Sequence, residues 1–207
     1  MPSPCPPLRL AVALLVAVAC APRGDATTVI APEFESLVQQ SGYVVRAVVT
    51  SVTPEWRENP AQPGQRYIAS RIELDVREVI RGSAPRRLVL DAVGGKIGDE
   101  ELEIAGAPNF EVGSESIFFV HARRDLISPL VALRHGHYPV RRDARTGREV
   151  VHRASGRALY SERDVALPLT AASQELVRNP QAQPLSPAQF AARIRAVATL
   201  PARETVR

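Results

Sequence analysis

His135-Gly136-His137 comes nearest in this chain to the spacing of a metal site. On a strand, alternate residues share a face, so an H-x-H pair can turn both imidazoles toward one cation. A closed site needs further ligands, and the only carboxylate close by in sequence is Asp143. A polar loop turning at Gly136 accounts for the same letters, so His135 and His137 stand as weak metal candidates. Asp99-Glu100-Glu101 beside Gly98 has oxygen ligands for calcium but not the regular ligand spacing of a calcium loop. Gly94-Gly95-Lys96 is not a phosphate loop, because no G-x-x-x-x-G-K-[ST] string surrounds it. No G-x-S-x-G nucleophile string occurs, and 22 acidic residues do not single out a carboxylate pair for glycoside cleavage without geometry. The motifs therefore nominate no catalytic residue and no cofactor.

The charged residues say more. Of 26 basic residues, 25 are arginine and only Lys96 is lysine, an excess that coding composition explains as well as function does. Their placement is uneven. Residues 91–115 carry a net charge of −6, and residues 134–163 a net of +5. Arg141, Arg142, Arg145 and Arg148 fall within eight residues, around the turn sequence Asp143–Gly147. These four are the candidate partner-binding residues, suited to an acidic polymer or an anionic membrane surface. A solvated hairpin is the competing account of the same cluster.

The first residues read as a targeting segment. Arg9 supplies a positive start, and Leu10–Ala19 is an apolar run of ten residues, half of the roughly twenty a membrane span needs. Ala17-Val18-Ala19 and Gly24-Asp25-Ala26 are cleavage signals, so residues 1–26 are expected to form a signal peptide cut after Ala19 or after Ala26. Val16–Cys20 is also a degenerate lipobox, with Ala17 where leucine is usual, which makes Cys20 a candidate for lipidation. An exported protein, periplasmic or secreted, is expected, with a lipid anchor at Cys20 as the minority alternative. Cys5 and Cys20 are the only cysteines, and cleavage removes the first. The mature chain then has no internal disulfide, no thiol catalysis and no cysteine zinc site, and its stability must come from a hydrophobic core.

The elements that would position these residues are mainly strands. Eighteen prolines in 207 residues and only 5% aromatics predict short elements and a core of Val, Leu, Ile and Ala. Phe34, Leu37 and Val38 set the buried face of a short helix over Glu33–Gln40. Tyr43–Val52 reads as a strand buried on both faces, and 54–64 as loop. In Tyr67–Ile80, Ile68, Ile72, Leu74, Val76 and Ile80 point one way, while Arg71, Glu73, Asp75 and Arg77 point the other. That alternation predicts a strand, with a bulge at Ser70 or Glu78. Arg87–Val93, Leu102–Ile104 and Ser116–His121 come next as strands, and Tyr138–Arg142 with Arg148–His152 as a hairpin. Ser186-Pro187-Ala188-Gln189 is a capping box opening an amphipathic helix through Phe190, Ile194 and Val197.

Tyr43–Val49, Ile72-x-Leu74-x-Val76-x-x-Val79-Ile80-Arg81-Gly82, Leu88–Leu90, Gly94-Gly95 and Phe110-x-Val112-Gly113-x-x-x-Ile117–Val120 together resemble the oligonucleotide/oligosaccharide-binding (OB) barrel of netrin-like and tissue-inhibitor-of-metalloproteinase-like domains. The likeness is greatest to bacterial secreted proteins with that domain, and it covers residues 28–120. It implies a mainly β fold: a small antiparallel OB-like β-barrel with a short N-terminal helix, a β-hairpin extension and a C-terminal amphipathic helix. The organisation expected is a barrel with its hairpin over 28–152, a linker-rich segment over 153–185 and a helix over 186–200. Protease inhibition does not carry over, because the family's inhibitors hold an N-terminal cysteine by disulfides that this chain cannot form. An OB barrel that binds nucleic acid stacks bases on aromatics of its second and third strands, where this chain has only Tyr67, so nucleic acid is not an expected partner. The function expected is a non-enzymatic interaction module of the envelope or extracellular space. The alternative is a hydrolase or protease-associated accessory protein whose site does not show in sequence.

Overall fold

The computed structural model describes residues 30–123, 126–169 and 182–199. The signal-peptide residues, Cys20 and a short helix expected over Ala171–Arg178 lie outside them. Helix α1 (Phe34–Gln40) leads into strands β1 (Tyr43–Glu58), β2 (Arg66–Arg81) and β3 (Arg87–Val93). A two-stranded ribbon, β4 (Gly95–Ile97) and β5 (Glu100–Leu102), is followed by β6 (Glu115–Val120), β7 (His137–Arg142), β8 (Glu149–Val151) and helix α2 (Pro187–Ala198). The main sheet is antiparallel in the order β3-β2-β1-β6-β7-β8. Among the described residues no ladder joins β3 to β8, so a mainly β antiparallel fold is established and a closed barrel is not detected.

Strand β6 is buried on both faces, which is why its sequence is almost uniformly apolar. Ile117 and Phe119 enter a first core with α1, α2, Tyr138, Leu159 and Val165. Phe118 and Val120 enter a second core with Val45, Ala47, Val49, Ile72, Leu74 and Leu90. The alternation of β2 holds for Ile72, Leu74 and Val76, but not for Ile80, which lies in the first core. The reason is a pair of bulges: Arg77 and Ile80 have no partner in the β1–β2 register, and neither does Thr50 on β1. Each extra residue reverses the facing of the residues beyond it. The bulge therefore falls next to Glu78; Ser70 pairs regularly with Pro54.

Three expectations are corrected. The loop over 54–64 begins only after Glu58, because β1 runs on through Pro54. Beyond Val48, β1 has β2 on one side only, and a missing N–H is tolerated on such an edge. The strand expected at Leu102–Ile104 is instead the second arm of the β4–β5 ribbon. Gly94 and Gly95 open that ribbon with φ of 113° and 138°, and a Cβ on Gly95 would lie 2.6 Å from the Ser70 hydroxyl. Finally, 153–169 and 182–185 are packed rather than linker-like. Leu159 and Val165 are fully buried, and Val151 N–H donates to the Leu185 carbonyl while Leu185 N–H donates to Leu159. The buried Arg153 guanidinium donates to the carbonyls of Val165, Leu167 and Pro168, closing the end of a 3-10 turn over Glu162–Ala166.

Helix α2 docks on the sheet. Ser186 and Gln189 form the expected capping box, with Pro187 in the first turn. Phe190, Ala191, Ile194 and Val197 are buried, and Phe190 packs against Tyr138, Phe34 and Phe119.

Candidate functional site

The two candidate histidines do not share a strand face. His135 lies in a 3-10 turn over Leu133–Gly136, and His137 begins β7. Gly136 between them serves close packing, since a Cβ there would lie 2.5 Å from the Val131 carbonyl oxygen. His137 stacks on Phe118 at 5.2 Å with an interplanar angle of 8°, and its Nε2 lies 3.0 Å from the hydroxyl of Ser116 on β6. Both rings are buried, and burial pushes both pKa values down to about 4. The further causes differ, Arg153 and Arg134 for His135 but Arg141 for His137. Among the described residues no three His, Cys, Asp or Glu side chains gather as a metal site. Asp143 is engaged elsewhere. Its Oδ1 accepts from the Thr146 hydroxyl and from the amides of Thr146 and Arg145, which holds its carboxyl below the usual range.

Those Asp143 bonds build the turn that presents the arginines. Arg141 and Arg142 end β7, Arg145 sits in the turn and Arg148 comes after it; all four are exposed. Arg142 donates to the Gly147 carbonyl and Arg148 to Gln183. None of the four makes an ion pair among the described residues. Several other arginines do. Arg57 bridges Glu55 and Asp91, Arg77 and Arg86 share Asp75, Arg71 meets Glu73, and Arg195 of α2 meets Glu78. Arg46 on β1 grips Glu115 with Nε and Nη2 at 2.8 and 3.1 Å and reaches Glu149 at 2.9 Å. The acidic stretch is less exposed in charge than its sequence suggests, because Asp91, Glu115 and Glu101 all have cationic partners.

A cleft of about 480 Å3 lies at the base of the hairpin. Its walls include Asn109, Glu111, Ser114, Ser116, Arg134, His137 and Arg141. Sequence reading found Arg141 and His137 separately but not Ser116, which lies 21 residues away inside an apolar strand. Only the β6–β7 ladder, pairing Ser116 with Pro139 and Phe118 with His137, brings the two polar groups together. Ser116 has no exposed surface.

Comparison with protein-family models, with curated proteins and with solved structures finds no match for this chain.

Proposed function

We propose that this protein is an exported, non-enzymatic β-sheet module that holds an anionic polymer or anionic surface of the cell envelope through the hairpin Arg141, Arg142, Arg145 and Arg148. The observation that carries the reading is the pairing pattern. The hairpin concentrates four exposed guanidiniums that make no ion pair among the described residues, whereas Arg46, Arg57, Arg71, Arg77, Arg86 and Arg195 each lie against a carboxylate. Unpaired guanidiniums keep their field and their planar donors for a carboxylate, sulfate or phosphate. An OB-like barrel of the netrin type remains the fold reading that goes with this proposal, supported by the sequence resemblance and by the long β1–β2 pair with its register shifts, the kind of irregularity that bends a sheet.

The test is retention on heparin-like and anionic-lipid matrices. The wild-type protein should be retained at low salt and released as ionic strength passes about 0.15 M, where charges are screened beyond roughly 8 Å. Arg145→Glu with Arg148→Glu should abolish retention without lowering the melting temperature, because both side chains are exposed. Retention unchanged in that double variant would remove the hairpin as the contact.

Export is supported by the order Arg9, Leu10–Ala19, then small residues. N-terminal sequencing of the protein from the envelope fraction should begin at Cys20 or Thr27, and an intact Met1 there would overturn this part of the proposal. The hydrolase alternative has one observation in its favour, a neutral His137 bonded to Ser116. A nucleophile must reach a carbonyl carbon, and the complete burial of Ser116 argues against that role. The pair is better explained as two buried polar groups satisfying each other.

A further inference from the structure

The cleft beneath the hairpin has a chemistry of its own. Arg134 and Arg141 stand on its wall as exposed guanidiniums, and Arg141 also belongs to the hairpin cluster. Asn109, Ser114 and Glu111 also line the cleft, with Asn109 Nδ2 donating to the Glu111 carboxylate at 3.2 Å and the Ser114 hydroxyl to the Glu111 carbonyl at 2.6 Å. The other wall carboxylate, Glu115, is held by Arg46. His137 forms part of the wall. Its Nε2 is bonded to Ser116, and its Nδ1 has no protein partner among the described residues. The segment carrying Arg134 is strained, since Ala132 and Leu133, with φ of 51° and 56°, are both left-handed and neither is glycine.

A volume of about 480 Å3 is in the range of small-ligand clefts, roughly 300–1,000 Å3. The mixture of groups selects among anions. Two guanidiniums fit a planar carboxylate. A free phosphate or sulfate would gain from them too, but offers no set of ring hydroxyls to reach Glu111, Asn109 and Ser114 together. A hexuronate unit has both parts, a carboxylate for the arginines and ring hydroxyls for Glu111, Asn109 and Ser114.

We infer that this cleft receives one uronate unit of an acidic polysaccharide, with Arg134 and Arg141 on its carboxylate and Glu111 and Asn109 on its hydroxyls. The inference deepens the reading of the hairpin as an anionic-polymer contact and rests on it for the source of the unit, since Arg141 joins the two surfaces. A chain lying along the hairpin would enter the cleft at that residue.

The test titrates the whole protein with a short oligogalacturonate and with its uncharged oligogalactan counterpart, alongside phosphatidylglycerol vesicles and inorganic phosphate. The oligogalacturonate should bind, and neither the oligogalactan nor inorganic phosphate should displace it; the vesicles should bind through the hairpin and be lost with Arg145→Glu and Arg148→Glu, while the oligogalacturonate is kept. Arg134→Ala and Asn109→Ala, both away from the buried core, should each weaken it by about tenfold. Arg145→Glu with Arg148→Glu, at the far end of the hairpin, should leave this binding within about twofold while abolishing retention on polymer. Absence of oligogalacturonate binding, or binding unchanged by Arg134→Ala, would overturn the cleft assignment and leave the hairpin reading in place. Displacement of the oligogalacturonate by inorganic phosphate would identify a simple anion site and also reject the uronate.

Discussion

Phe190→Ala should lower the free energy of unfolding by about 3–5 kcal/mol, the range for removing a fully buried aromatic ring. Phe190 has no exposed surface, and its ring centroid lies 5.1 Å from Tyr138, 5.7 Å from Phe34 and 6.0 Å from Phe119. The ring therefore joins α2 to α1 and to strands β6 and β7. A twelve-residue helix is marginal by itself, so its order depends on this face. The truncation acts in two ways. It leaves a cavity among rings, since the surrounding structure relaxes only in part, and it loosens the helix that shares a core with Leu185 and Val165. Arg193→Ala, on the outer side of the same helix with a 3.7 Å ion pair to Glu162, should cost well under 1 kcal/mol. Denaturant unfolding of both variants gives the comparison. Equal losses would mean that α2 does not rest on the sheet through Phe190.

Helix α2 and its apolar face were legible because each local signal agreed: a capping box, a proline in the first turn and an apolar stripe at the helical period; what that face docks on was not. The alternation of β2 was legible for the same reason over Ile72, Leu74 and Val76. It failed at Ile80 because a bulge is a property of two strands. The β1 partner that leaves Arg77 and Ile80 unpaired is not visible from β2 alone. Pro54 misled because its cost depends on whether a neighbour lies on its N–H side, and the length of β6 decides that. The stretch 153–169 showed no period because Leu159 and Val165 are buried from turns, where neither the 3.6 nor the 2.0 repeat applies. The hairpin arginines were read directly, since the Asp143–Gly147 turn declares its own exposure. The cleft was not, because Ser116, His137 and Arg134 come from segments whose approach depends on the β6–β7 pairing and on two left-handed residues.

Acidification should destabilise this protein before its carboxylates titrate. His137 has a pKa lowered to about 4 by burial and, second, by Arg141, against an ordinary value of 6.5. Between those values the unfolded chain binds a proton that the native chain does not, so stability rises with pH across the window and is lost as pH falls through it. The loss begins below about pH 6.5 and is complete below about pH 4. It amounts to about 3 kcal/mol for His137, from roughly 1.4 kcal/mol per unit. His135 acts in the same direction, lowered to about 4 by burial and then by Arg153 and Arg134, with a buried Nδ1 that has no hydrogen-bond partner among the described residues. The nearby arginine charges oppose protonation of both rings, and among the described residues no carboxylate bonds either one, so protonation finds no compensating partner. Denaturant unfolding at pH 7.5, 6, 5 and 4.5 measures the slope. In His137→Gln, which keeps a side-chain polar group for Ser116, the loss between pH 6.5 and 4.5 should fall by more than half of the His137 share. Variant and wild type with the same slope would show that His137 is not held neutral by the fold, and would also remove the neutral imidazole from the wall of the cleft.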